Sequence, residues 1–223
     1  KSKQLATEEK KENSHLYVWY MLFVMFTVGW PMYIIRNATS HGTKDFCSHF
    51  LPSCSIFDHM KKSEKWKIHA GTAGIVAWTI FLCLTPVLFP GFTYWNLCQL
   101  YVLPLCVNFF LLTSVTFLQH TDPKLPHYEA SEWDWLRGAT ATIDRDMGAF
   151  MNWQVHDIHH THVCHHIFSK LPFYHSREAT AAIKQVLGDT YQFESENFFV
   201  SLYKNLKRCS TLRETEPGIL WWM

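Results

Sequence analysis

Six of the fourteen histidines crowd into eleven residues, His156-Asp157-Ile158-His159-His160-Thr161-His162-Val163-Cys164-His165-His166. Within that run His162, His165 and His166 form an H-x-x-H-H cluster. Positions i, i+3 and i+4 share one face of an α-helix, so the three imidazoles are expected to converge on one point. Neutral imidazole ligates iron, zinc, copper or nickel. A packed core would not choose three such rings, because each carries two nitrogens that need partners. The run lies among apolar and aromatic residues rather than in a low-complexity tail, which sets it apart from a solvated, titrating patch or a tag. The expectation is a metal site.

The elements that must position it are apolar and helical. The chain has 223 residues, 48% hydrophobic, 16% aromatic and only 17% charged, with a formal net charge of +1. That balance gives no reason to expect a nucleic-acid partner. Leu16 to Ile35, Ala70 to Phe89 and Leu97 to Leu118 are uncharged stretches, each long enough to cross a hydrocarbon core of roughly 30 Å as a helix. A mean hydropathy of -0.08 reflects polar flanks diluting these stretches. Gly29, Trp30 and Pro31 break the first, which is expected to kink or to lie partly in the interface. The second and third read as a hairpin joined by Pro90 to Asn96, with Tyr94 and Trp95 suited to the membrane–water boundary.

Charge sets the expected orientation. Arg36, Lys44, Lys61, Lys62, Lys65 and Lys67 precede the hairpin, and its turn has no Lys or Arg. By the positive-inside tendency the segment from Arg36 to His69 and everything after Leu118 are cytosolic. Seven cysteines, at 47, 54, 83, 98, 106, 164 and 209, suggest neither a disulfide framework nor a zinc ribbon. Asn37-Ala38-Thr39 matches a glycosylation pattern but is read as chance on the cytosolic side. The opening Lys1-Ser2-Lys3, without an initiator Met or cleavable leader, reads as a start in mid-protein.

Beyond the third stretch, Trp133, Trp135 and Leu136 fit a segment lying along the headgroup surface. Pro172 to His175 reads as a turn. Ser176 is expected to cap a helix to about Leu187, with Glu178 in its first turn, Gly188 as its stop and Ala179, Ile183, Val186 and Leu187 as its apolar face. A last helix is expected over about Glu196 to Arg208, with Phe198, Phe199, Leu202 and Leu206 on one side. The terminal Leu220-Trp221-Trp222-Met223 is read as a membrane-surface or retention segment. No strand alternation or repeat is persuasive, so the expected class is an all-α membrane protein: helical spans at about 16–35, 70–89 and 97–118, and a cytosolic helical cap over 119–223.

Several motifs now form a recognisable series. Leu118-Gln119-His120-Thr121, Leu125-Pro126-His127-Tyr128, Ser131 to Gly138, Asp144-Arg145-Asp146 and Thr161 to Ser169 occur in this order and strongly resemble the plant endoplasmic-reticulum Δ12 fatty acid desaturase family. The resemblance runs from Gly29-Trp30-Pro31 to about Phe193. It implies a multi-pass enzyme of the endoplasmic reticulum membrane with two iron ions, held by three histidine boxes on the cytosolic face. It implies cytochrome b5 as electron donor, O2 as oxidant and an acyl chain on phospholipid as substrate, two hydrogens being removed from unactivated methylenes. Only the third box is present, so the chain reads as the C-terminal half to two-thirds of such an enzyme and as inactive alone. A two-iron site needs on the order of eight ligands. His162, His165 and His166 supply three and His120 is the candidate fourth, with His156, His159 and His160 expected behind them.

One departure bears on product. The family's third box resembles Asp-Thr-His-Val-Ala-His-His, whereas this chain has His160-Thr161-His162-Val163-Cys164-His165-His166. A carboxylate behind a ligand orients its imidazole and raises its basicity, and a neutral histidine does so differently. Asp157 could compensate, or His160 could be drift. Divergent relatives often depart here, so a Δ12 acetylenase is the first expectation. The alternatives are a plain oleate Δ12 desaturase, a hydroxylase, epoxygenase or conjugase, and a catalytically incomplete metal-binding membrane fragment. A zinc peptidase would need H-E-x-x-H with its general-base Glu, and none is present.

Overall fold

The computed structural model describes residues 14–37 and 46–222. The chain divides into two compact units, residues 22–113 in one and residues 114–222 with the described residues before 22 in the other. Helix α1 (His15–Val24) passes through a π-turn (Met25–Gly29) into α2 (Trp30–Arg36). Helix α3 (Trp66–Leu88) is followed by α4 (Tyr94–Leu97), a second π-turn (Cys98–Val102) and α5 (Leu103–His120). Among the described residues, three helical stretches, His15–Arg36, Lys62–Leu88 and Tyr94–His120, are long and apolar enough to cross a membrane, each overlapping an uncharged stretch of the sequence. Their apolar side chains, Phe23, Val87 and Leu100 among them, are largely exposed, as suits a lipid solvent.

The prolines explain the irregular turns. Proline lacks an N–H and its ring meets the carbonyl four residues earlier. For Pro31 and Pro104 that carbonyl belongs to Thr27 and Leu100, and both lie inside the π-turns, which widen the helix there. For Pro86 it belongs to Leu82, and the Thr85 hydroxyl donates to it at 2.7 Å. The expected hairpin turn is present: Thr93 caps α4, accepting from the Asn96 N–H while Asn96 returns the bond to the Thr93 N–H.

Before α3 the chain makes successive tight turns, the Leu51 N–H donating to Ser48 and the Cys54 N–H to Leu51. They fold Cys54 back onto Cys47, with Cα atoms 5.2 Å apart, and the two form a disulfide. This corrects the reading of the cysteines as unpaired: a seven-residue separation carries no signal until the turns between are known. Cys83, Cys98, Cys106, Cys164 and Cys209 are free. Asn37 ends α2 in the left-handed conformation, its N–H reaching Tyr33. The rest of that glycosylation triplet lies outside the described residues.

The remaining unit is helical with short strands that the sequence did not disclose. Its helices are α6 (Trp135–Thr140), α7 (Ala149–Gln154), α8 (His162–Ile167), α9 (Ser176–Leu187) and α10 (Phe198–Arg208). Strands β1 (His127–Tyr128), β4 (Leu212–Glu216) and β5 (Ile219–Trp222) form an antiparallel sheet in the order β1-β5-β4. Strands β2 (Asp144–Arg145) and β3 (Phe193–Glu194) pair in parallel. Two-residue strands are too short to show alternation, which is why they escaped notice. Leu220 to Trp222 is therefore a half-buried strand rather than a free tail, and Met223 lies outside the described residues. Gly218 makes that hairpin possible, since its φ is +75° and a Cβ would meet Glu132 at 2.7 Å.

Ser176 is the first residue of α9 rather than its cap, its hydroxyl turning back to the Phe173 carbonyl at 2.6 Å. The stop at Gly188 and the acidic Glu178 in the first turn are as expected. Ile183, with Ala179 and Leu187, packs on Val163 and Cys164 of α8, whereas Val186 is exposed. Asn197 caps α10, accepting from the Phe199 and Val200 N–H groups, and Phe198, Leu202 and Leu206 face inward. Trp133, Trp135 and Leu136 are exposed, as a surface-lying segment requires.

Alkylating the denatured full-length protein with a maleimide before and after reduction tests the bridge. Reduction is expected to add two labelled cysteines, mapping to Cys47 and Cys54, and an unchanged count would remove the disulfide.

Candidate metal centre

Three imidazoles meet where α5 ends and α8 begins. His120 is the last residue of α5, and His162 and His166 stand one turn apart on α8. Their ligand nitrogens all lie within 4.8 Å of one another. His162 Nε2 is 3.3 Å from His120 Nε2 and 3.2 Å from His166 Nε2. Two nitrogens bound at about 2.1 Å to one ion stand roughly 3.0–3.4 Å apart, in octahedral or tetrahedral geometry. Two of the three nitrogen pairs match that spacing, and the three residues could hold one metal ion.

The structure sets His165 apart from the other three rings. Neighbouring residues on a helix differ by about 100° around its axis, so His165 and His166 cannot point the same way. His162 and His166 straddle one line, and His165 falls to the side, its ring centroid 5.6 Å from His162 and 6.0 Å from His166. It lines a small cavity with His156, Ile158, Cys164, Phe168 and Phe173. His120, by contrast, joins the centre fully.

Electrostatics hold the α8 rings in their ligating form. Burial, then the facing His120 and His166 rings, push His162 down to about 2. Burial, then His120, lowers His166 to about 4. Both imidazoles are neutral at physiological pH, with lone pairs free for a metal. The Ala141 carbonyl accepts a hydrogen bond from the His120 ring, the partner that commonly orients a ligating histidine.

Asp144, which sequence reasoning did not single out, holds α8 in place. That helix has no side-chain cap of its own. The Val163 N–H donates to Asp144 Oδ1 at 2.7 Å, and the Tyr191 hydroxyl donates to Oδ2. A carboxylate at the first turn offsets the positive helix end. Burial is the largest influence on Asp144, raising it to about 6 against the opposing pull of Tyr191 and the α8 amides. Its place in the Asp144-Arg145-Asp146 motif was the available signal. The other expected supporting histidines separate. His159 is fully buried and hydrogen-bonded to Gln119 at 2.9 Å. His160 lies edge-on to Phe193, and His156 packs on Phe173.

Similarity to known proteins covers most of the chain. The sequence pattern described as Fatty acid desaturase matches residues 45–197. A Δ12 fatty acid desaturase of Calendula officinalis is 42% identical over 204 residues, 90% of this chain and 51% of that protein. An omega-6 fatty acid desaturase of Glycine max, endoplasmic reticulum isozyme 1, is 40% identical over 205 residues, 90% of this chain and 51% of that one. A Δ12 acyl-lipid conjugase of Impatiens balsamina, which forms 11E,13E products, is 38% identical over 198 residues, 89% of this chain and 50% of that one. The chain thus spans about half the length of the curated relatives it matches. No solved structure matches it.

The geometry predicts that His120→Ala, His162→Ala and His166→Ala each lower bound metal per polypeptide in the purified full-length protein, measured by elemental mass spectrometry. A variant keeping the full complement would remove that residue from the centre.

Proposed function

The chain belongs to the fatty acid desaturase family, and we propose that residues 1–223 are the C-terminal part of a membrane di-iron fatty acyl desaturase of the Δ12 type. Its substrate would be a C18 acyl chain on phospholipid, its oxidant O2 and its electron donor cytochrome b5. Its seat would be the endoplasmic reticulum membrane, the compartment named for the Glycine max relative. The observation that carries this reading is the His120–His162–His166 triad at the end of an apolar, membrane-length helix.

Iron bound there would supply the O2 chemistry that breaking the C–H bonds of unactivated methylenes requires. The chain's own residues bind and orient. His120, His162 and His166 would hold one ion, and His165, turned aside, would serve the second iron with ligands from the part of the protein outside this chain. Val163, next to His162, is buried against Cys164 and Ile183 and keeps that face of α8 dry. With only these donors the chain alone is incomplete, and activity belongs to the full-length protein.

Two product classes are in play. Replacement of the family's acid by His160, together with the conjugase relative, supports a divergent product, an acetylenic bond first. The packing of His160 on Phe193 instead of on the triad supports plain Δ12 desaturation. Feeding oleate and linoleate to yeast expressing the full-length protein separates them. The divergent reading expects a triple bond or another modified group near carbon 12 made from linoleate, and a shift toward linoleate in His160→Asp. Linoleate as the sole new product, with fed linoleate untouched, would falsify it and leave a plain desaturase.

Sidedness is set by two opposing signals. Lysines 61, 62, 65 and 67 draw their segment to the cytosol, while a Cys47–Cys54 disulfide persists in an oxidising compartment. We place that segment and the triad on the cytosolic face, where burial of Cys47 and Cys54 would shield their bridge from the reducing pool. A protease confined to the cytosolic side of sealed microsomes is expected to cut near Lys61 and after Leu118 and to spare Tyr94-Trp95. A glycan at Asn37 would reverse the arrangement.

A further inference from the structure

Gln119 and His159 join the two segments that carry the triad. Gln119 immediately precedes His120, and His159 lies three residues before His162. Both side chains are fully buried. The Gln119 amide donates to His159 Nδ1 at 2.9 Å and to the His159 carbonyl at 3.2 Å, gripping side chain and backbone of one residue. Because an amide N–H only donates, Nδ1 must accept, which places the ring proton on Nε2.

The same layer is stitched from the other side. The Gln119 carbonyl accepts from the Thr142 hydroxyl at 2.7 Å and from the Ile143 N–H at 3.3 Å. The His159 carbonyl accepts from the Arg145 N–H at 2.7 Å. Residues 142–145 therefore bridge both segments, and the Gln119–His159 bonds link them directly behind the triad.

We propose that His159 is a positioning residue whose hydrogen bond to Gln119 sets the spacing of His120 and His162 in the metal centre. The inference rests on the metal-centre reading above. Two observations separate it from ordinary packing. Gln119 Oε1 and His159 Nε2 are buried without a partner among the described residues, so the pair is a poor device for stability alone. His159, not His160, carries the hydrogen bonds to the residue next to His120, the His160 ring lying edge-on to Phe193 instead. An apolar pair of similar volume would fill the space with no unpaired polar atom, but it would hold neither segment in register.

The test uses the full-length protein in detergent, with Fe2+ affinity read by chelator competition, Co2+ absorption reporting ligand geometry, and thermal melting reporting fold. His159→Leu strands the Gln119 amide and is expected to weaken Fe2+ binding about 10- to 100-fold, as loss of a ligand's support typically does. His159→Asn keeps an acceptor near the Nδ1 position and is expected to stay within about threefold of wild type, well short of the loss that removing a ligand's support brings. The double variant Gln119→Met with His159→Leu removes both polar groups. It is expected to recover the melting temperature while keeping the weak affinity and an altered Co2+ spectrum. If His159→Leu binds Fe2+ as wild type does, or if the double variant recovers affinity along with stability, the pair is packing only and the inference fails. Wild-type protein that binds no iron would instead overturn the metal-centre reading itself.

Discussion

The structure depends on how α5 ends. A helix terminus leaves four carbonyls without intrahelical partners, and here two of them belong to the fully buried Leu118 and Gln119. Arg145 resolves this. Its Nε donates to the Leu118 carbonyl at 3.0 Å and its Nη2 pairs with Asp122 at 2.5 Å. Thr142 and Ile143 take the Gln119 carbonyl, and the Asn205 side chain takes Thr121 at 2.6 Å. Arg145 is only 2% exposed and Asp122 7%, so neither charge has water to fall back on. Removing one partner of such a pair costs about 3–5 kcal/mol, because the other charge is left buried and alone. His120 can face α8 because its backbone is fixed by this arrangement.

Once α5 is fixed, the crowded histidines divide by geometry. The step of about 100° per residue sends His162 and His166 toward His120 and turns His165 away. Ahead of α8 the chain runs through His156 and Asp157, both at positive φ, so no helical rule governs which way His156, His159 and His160 point. Asp157 is anchored there by a bidentate pair with Arg177 of α9. One residue type thus takes separate duties within eleven positions: convergence on a point, support behind it, and contact with neighbouring helices.

What the sequence disclosed followed from local periodicity. The three apolar stretches, the H-x-x-H-H box and the stop at Gly188 all rest on rules that operate within a few residues. The contribution of His120 was visible only as a possibility, because its partner lies forty-two residues away. Asp144 and Gln119 showed only as members of motifs and Tyr191 not at all, since a carboxylate capping a distant helix leaves no pattern that states its role. The same limit hid the Cys47–Cys54 pairing and the short strands. Ser176 shows the opposite error, in which a residue with capping chemistry satisfied its hydroxyl one turn back.

The position of the triad constrains the proposed chemistry further. His120 closes a membrane-length helix, so whatever it binds lies within about one helical turn, roughly 5 Å along the axis, of that helix's end. A methylene in the middle of an acyl chain lies deep in hydrocarbon and must be drawn up along protein to reach it. On the proposed function, the carbon that meets the centre would be set by the length and lining of that path, and the histidines would set only that oxidation occurs. Position and outcome are separable properties on this reading. Relatives named as a desaturase and as a conjugase can then differ in that path, and His160, resting on Phe193, stands apart from the triad.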